Sequence, residues 1–218
     1  MDLGLKSVSV SFGNVVALDD VCLELPAGSQ AVLWGPAGGG KTTLLKVLAG
    51  LVLPTRGDVR WGDAHVTSLS EEARREAQAA FGFVFQTDAL FDSMSVLDNV
   101  RLPLKKRGVA DAEATRRAHE VLEQVGLLAA AGKRPEDLSG GMKKRAGIAR
   151  AIVARPQVLL ADDPFAGLDP VTEGQIARLL LQVSEGRTLI AALPDPLESL
   201  PLPRQLRIVA GRVEAPSR

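Results

Sequence analysis

Apolar positions along this chain change period several times, and each change marks an element. Residues 5–12 and 21–25 alternate polar and apolar positions as short strands do, and they are broken by Gly13-Asn14 and by Pro26-Ala27-Gly28. Residues 31–34 form a compact apolar run of the kind found in a strand covered on both faces. A helix is predicted from the glycine-rich segment after it, through Leu44-Leu45-Lys46-Val47-Leu48-Ala49, with Gly50 as its stop. Strands are predicted at 58–61 and 81–85, with a charged helix over 71–78 between them. From about 87 to 154 the pattern becomes mainly helical: 111–125 is polar apart from a stripe of Ala114, Ala118, Val121, Leu122 and Val125. A buried strand returns at 158–161, a helix at 173–183 and a strand at 188–193. The pattern predicts an α/β core with a helical insertion in one continuous domain over 1–218, with 215–218 expected to fray.

Composition narrows the class. The 218 residues suffice for one domain with a substantial core, and 46% hydrophobic with 24% charged residues describes a globular chain. Its 26 basic and 26 acidic residues balance, so no global field recruits nucleic acid or anionic lipid, and no nucleic-acid partner is expected. The single cysteine, Cys22, excludes an internal disulfide and reads as a small buried hydrophobe in a strand. No apolar stretch reaches the ~18–20 residues that span a bilayer, so membrane contact is expected only through partners. The first residues lack the basic start and apolar core of a secretion signal.

Three motifs carry the chemistry. Gly35-Pro36-Ala37-Gly38-Gly39-Gly40-Lys41-Thr42-Thr43 satisfies G-x-x-x-x-G-K-[ST] between a predicted strand and a predicted helix. Glycines let backbone N–H groups approach phosphate oxygens, and the helix N-terminus adds partial positive charge. Lys41 is placed to bridge the β- and γ-phosphates of ATP, and the Thr42 hydroxyl to ligate Mg²⁺. The strand at 158–161 carries Asp162 to a sheet edge, where it would hold Mg²⁺ through water, and Asp163 follows. Leu138-Ser139-Gly140-Gly141-Met142 opens another helix, a second anion site with no lysine of its own. One chain needs a single γ-phosphate site, so this helix end is expected to meet the nucleotide of a second subunit.

In this order the motifs resemble those of the nucleotide-binding subunits of ABC transporters, along essentially the whole chain. The resemblance implies a P-loop NTPase core of RecA-like type, an N-terminal antiparallel β region and a helical subdomain. It implies that Phe12 stacks on adenine, that Gln86 touches Mg²⁺ and relays to membrane permease subunits, and that Gly167-Leu168-Asp169 senses the partner ATPase. It also implies a peripheral position on the cytoplasmic face of a bacterial inner membrane. Residues 86–104, with LSGGMKKRAGIARA at 138–151 and DPFAGLDP at 163–170, are similar to the ATPases of MCE/Mla-type systems that move phospholipids. Leu90, Phe91 and Met94 are then candidates for an apolar permease-docking surface. Lipoprotein release and cell division are alternative systems.

Two positions depart from the family pattern. Its usual glutamate after the magnesium aspartate is Asp163 here, one methylene shorter, and a displacement of about 1 Å can cost on the order of 100-fold in rate. Its histidine after the strand at 188–193 is Pro194 here, which has no side-chain donor and no N–H. Neither His65 nor His119 can replace it from so far upstream, and both read as surface or helix residues. The chain is expected to bind ATP–Mg²⁺ tightly and hydrolyse it slowly. A non-hydrolysing, ATP-dependent regulatory subunit is the alternative.

Overall fold

A computed structural model describes residues 1–214, so the expected fraying at 215–218 lies outside the described residues. Two sheets form the frame. The first is antiparallel, in the order β2-β1-β4-β5, from β1 (Leu3–Phe12), β2 (Val15–Leu25), β4 (Arg56–Trp61) and β5 (Ala64–His65). The second runs β10-β9-β3-β8-β7-β6, from β3 (Gln30–Trp34), β6 (Phe81–Val84), β7 (Val158–Asp162), β8 (Thr188–Leu193), β9 (Arg204–Val209) and β10 (Arg212–Glu214). Its strands β9, β3, β8, β7 and β6 are parallel, and β10 adds an antiparallel edge.

The parallel strands show why their sequences lack alternation. All residues of β7 and of β8 are buried, and successive side chains enter different cores. Val158, Leu160, Ile190 and Ala192 pack with the antiparallel sheet and with α1 (Lys41–Leu48). Leu159, Ala161, Leu189, Ala191 and Leu193 pack with the cluster that includes α3 (Val96–Lys106), α4 (Asp111–Gln124), α5 (Gly140–Ile152) and α6 (Pro170–Val183). A short α2 (Glu71–Ala77) has no buried residue. Along α4 the predicted stripe is seen: Ala114, Ala118 and Leu122 are fully buried, while Val121 is only partly covered.

Several boundaries move. The first strand starts at Leu3 and the second at Val15, because the Gly13-Asn14 turn closes a hairpin that pairs Phe12 with Val15. β6 ends at Val84, so Gln86 follows the strand by two residues rather than terminating it. The helix predicted at 173–183 begins three residues earlier, at Pro170, since proline's fixed φ suits a first helical position and Asp169 caps it. Cys22 is exposed, which corrects its reading as a buried residue: in β2 the core side is taken by Val21, Leu23 and Leu25, and position 22 points the other way.

Candidate functional site

The parallel strands deliver their C-terminal ends to one edge, where ligands of open α/β sheets collect. After β3 the chain enters the glycine loop, and Lys41 begins α1. Gly40, the helix N-cap, has φ 106° and closes on the Ala17 carbonyl, which an added Cβ would meet at 2.7 Å. At Gly35, φ 149°, a Cβ would lie 2.1 Å from the Ile208 carbonyl oxygen. The loop is thus pressed against β9 and the β2 hairpin by backbone, leaving no room for side chains at these two positions.

Inside the loop, Lys41 Nζ donates to the carbonyls of Gly35 at 2.5 Å and Pro36 at 2.9 Å. The ammonium is thereby held over the loop mouth. Thr42 Oγ1 donates to Asp162 Oδ1 at 2.9 Å, joining the first turn of α1 to the end of β7. Asp162 is only 6% exposed. Burial pushes its carboxyl above the ordinary range, partly offset by the Thr42 hydroxyl and the Lys46 ammonium. Asp163 follows with φ 42°, a left-handed turn that aspartate tolerates, and its N–H donates to the Ala192 carbonyl at 2.9 Å. Gln86 Nε2 donates to Asp163 Oδ2 at 3.2 Å. Residues 37–43, Gln86, Asp162 and Asp163 together line a cleft of about 320 Å³, with Val15, Val16 and Ala17 along one side.

The donor set suits a hard cation. Thr42, Asp162 and Gln86 offer only oxygen donors, and among the described residues there is no cluster of three His, Cys, Asp or Glu able to hold a metal alone. Mg²⁺ is commonly held this way, by one or two protein oxygens together with substrate phosphates. Glycine amides, a helix N-terminus and the Lys41 ammonium provide the matching anion cradle.

Not every expected residue enters the cleft. Phe12 is 53% exposed at the tip of the β1–β2 hairpin and does not line it; the neighbouring Val15 and Val16, also exposed, do. Sequence reading missed these two valines, although an apolar pair directly after a Gly-Asn turn is a signal for an outward-facing platform. Ser139, Gly140, Gly141 and Met142 lie at the start of α5 and contribute nothing to the cleft lining. Ser139 caps that helix by accepting from Met142 N at 3.4 Å; Ser139 and Gly140 are exposed, and Gly141 is half-buried. Pro36 flanks the cleft through its carbonyl bond to Lys41. Asp169 is occupied locally, accepting from Val171 N and Thr172 N at 3.0 Å and from Thr172 Oγ1 at 2.6 Å. Pro194 faces solvent, and its carbonyl accepts from Gly35 N at 3.2 Å, so this position offers the phosphate loop an acceptor rather than a donor. Of the docking candidates, Phe91 is exposed, whereas Leu90 and Met94 are partly covered, Leu90 by the helical core.

Residues 18–166 match the sequence profile of the ABC transporter family. A sulfate/thiosulfate import ATP-binding protein of Rhizobium meliloti is 38% identical over 98% of the chain and 59% of its own length. A methionine import ATP-binding protein of Rhodopseudomonas palustris is 44% identical over 78% of the chain and 46% of its own length. The chain spans about half the length of these curated relatives. Among solved structures, the dimeric cassette MJ0796, in a post-hydrolysis state bound to ADP and Pi, superposes with a TM-score of 0.89 at 31% identity. That match covers 98% of this chain and 97% of the other.

Proposed function

The chain belongs to the ABC transporter family, and from that membership we propose that it is the ATP-binding subunit of a transporter, working as one ATPase unit over 1–218 with its helical insertion at about 87–154. One observation carries the reading: Lys41 in a backbone glycine cradle lies beside the Thr42–Asp162 pair and the Gln86–Asp163 pair, in a single cleft. The nucleotide would supply the phosphoryl group and Mg²⁺ the charge neutralisation. Lys41 and the loop amides bind and orient the phosphates, while Thr42, Asp162 and Gln86 hold the cation's position. Asp163 accepts the proton of an attacking water, with Gln86 Nε2 fixing its carboxylate. Ser139, Gly140 and Gly141 would close over the nucleotide of a second ATPase copy or a different ATPase subunit, and the cap at Ser139 leaves the helix end facing out. Val15 and Val16, with Phe12 above them, would flank the base.

The partners fitting this reading are integral-membrane permease subunits, with this chain peripheral on the cytoplasmic face of a bacterial inner membrane. No described helix is long and apolar enough to cross a membrane itself. For the cargo we favour phospholipid, on the similarity of residues 86–104, 138–151 and 163–170 to the MCE/Mla-type ATPases. The relatives named above are described as importers of sulfate or methionine, so cargo follows from the permease and is tested there. Co-purified lipid and lipid transfer in vesicles reconstituted with the permease would support it; transfer of a small solute instead would overturn it.

Hydrolysis by this subunit is slow, on the strength of Asp163 and Pro194. A purified assembly carrying Asp163→Glu and Pro194→His should turn over ATP at least about 100-fold faster than wild type, since a carboxylate moved by about 1 Å is alone worth on the order of 100-fold and an added transition-state donor multiplies that gain. Equal turnover in both proteins would end the claim. A complete absence of single-turnover hydrolysis with intact MgATP binding would instead favour the regulatory-subunit reading.

A further inference from the structure

Gln86 sits on a segment that has left the sheet. β6 ends at Val84, and the carbonyls of Gln86, Asp88 and Ala89 find no backbone donor among the described residues. All three are met instead by side chains from one helix, α5. Lys144 Nζ donates to the Gln86 carbonyl, and Arg150 donates through Nη2 to the Asp88 carbonyl at 3.3 Å and through Nη1 to the Ala89 carbonyl at 2.6 Å. Lys144 is only 5% exposed, and its ammonium also lies 3.6 Å from Asp88 Oδ1. Gly147, between the two cations on the helix, lacks the Cβ that would otherwise stand 3.6 Å from the Asp88 carbonyl. Ala89, whose carbonyl Arg150 meets, takes φ 50°, a left-handed value.

A buried ammonium is costly unless its acceptors are fixed, and here the acceptor is the main chain of the residue whose side chain reaches Asp163. We propose that Lys144, seconded by Arg150, is a positioning residue for the magnesium site: it holds the Gln86 backbone and so sets where the Gln86 amide stands relative to Asp162 and Asp163. The inference rests on the ATP-binding reading above. It adds that α5, whose N-terminus carries Ser139, Gly140 and Gly141, is tied at its second turn by Lys144 and near its end by Arg150 to the segment that brings Gln86 into the same chain's cleft. A shift of that helix therefore moves Gln86.

The test is a double-mutant cycle between Lys144→Met and Gln86→Ala, with Lys144→Arg as the conservative variant. The readouts are Mn²⁺ affinity of the nucleotide complex by electron paramagnetic resonance, steady-state turnover in the full assembly, and hydrogen exchange of residues 86–92 in the nucleotide-free chain. Lys144→Met should weaken Mn²⁺ binding about 10-fold, as losses of groups supporting metal ligands do, leave metal-free nucleotide affinity unchanged, and speed exchange of the segment. In the Gln86→Ala background the same substitution should change Mn²⁺ affinity less than about twofold, and Lys144→Arg should restore most of the loss. Equal losses in both backgrounds would show that Lys144 only stabilises the fold, and no loss in either would remove it from the site; both overturn the inference. Wild-type protein that binds no nucleotide would defeat the functional reading itself, a different outcome.

Discussion

At the scale of single residues, Asp162 shows a site built against stability. Its carboxyl titrates above the usual aspartate range because burial outweighs the Thr42 hydroxyl and the lysines nearby. A group with a raised folded value binds its proton more tightly in the native state, so the ionised form costs stability as pH rises from the unfolded value through the folded one. Nucleotide-free protein should therefore melt at lower temperature as pH rises through that window. Asp162→Asn should flatten the slope, raise the neutral-pH melting temperature by about 2 °C, and weaken Mg²⁺-dependent nucleotide binding about 10-fold or more. Calorimetry and nucleotide titration at fixed Mg²⁺ check both halves; a variant that melts lower at neutral pH would refute the account. Lys41, Thr42 and Asp162, expected from their motifs, and Gln86, expected from the family resemblance, are brought into one cleft. Cys22 was misread, since an apolar run does not say which of its members faces the core.

At the scale of elements, the loop before α3 depends on one side chain. Asn99 is fully buried and accepts from Phe91 N at 2.7 Å, while its amide donates to the carbonyls of Phe91, Met94 and Ser95 at 3.1, 3.3 and 3.0 Å. Ser95 caps the same helix by accepting from Asp98 N at 3.0 Å. Asn99 is thus the peg that holds Phe91 out at the surface. Asn99→Ala leaves those groups unpaired in a buried site and should cost about 2–3 kcal/mol in chemical denaturation. It should also weaken permease co-purification as strongly as Phe91→Asp, which leaves the peg intact. A stability change below about 0.5 kcal/mol would contradict the role given to Asn99. The sequence placed this helix only within a mainly helical region over about 87–154, without its bounds. The peg was not legible, because nothing in a sequence distinguishes an asparagine that bonds three carbonyls from one on a wet surface.

For the whole molecule, the proposed two-chain reading makes the cleft one half of a site. Its lining comes from Val15, Val16, Ala17, the loop, Gln86 and the two aspartates and excludes the Ser139 helix end, where Ser139 and Gly140 are exposed and an added Cβ at Gly141 would meet Thr172 Cγ2 of α6 at 2.7 Å. Ser139→Asp retains an N-cap acceptor and suits the helix dipole, yet sets a negative charge against a partner's phosphates. This variant should melt like wild type, bind MgATP as a single chain, and fail to pair in ATP as read by sedimentation; pairing equal to wild type would refute the two-chain site. The sequence alone determined the α/β class, the buried parallel strands and the phosphate chemistry, because periodicity and glycine spacing report local geometry. Only the tertiary structure decided the β9–β10 edge, the outward-facing valines and the Lys144–Gln86 tie, because each depends on which distant segments the sheet order brings within bonding distance.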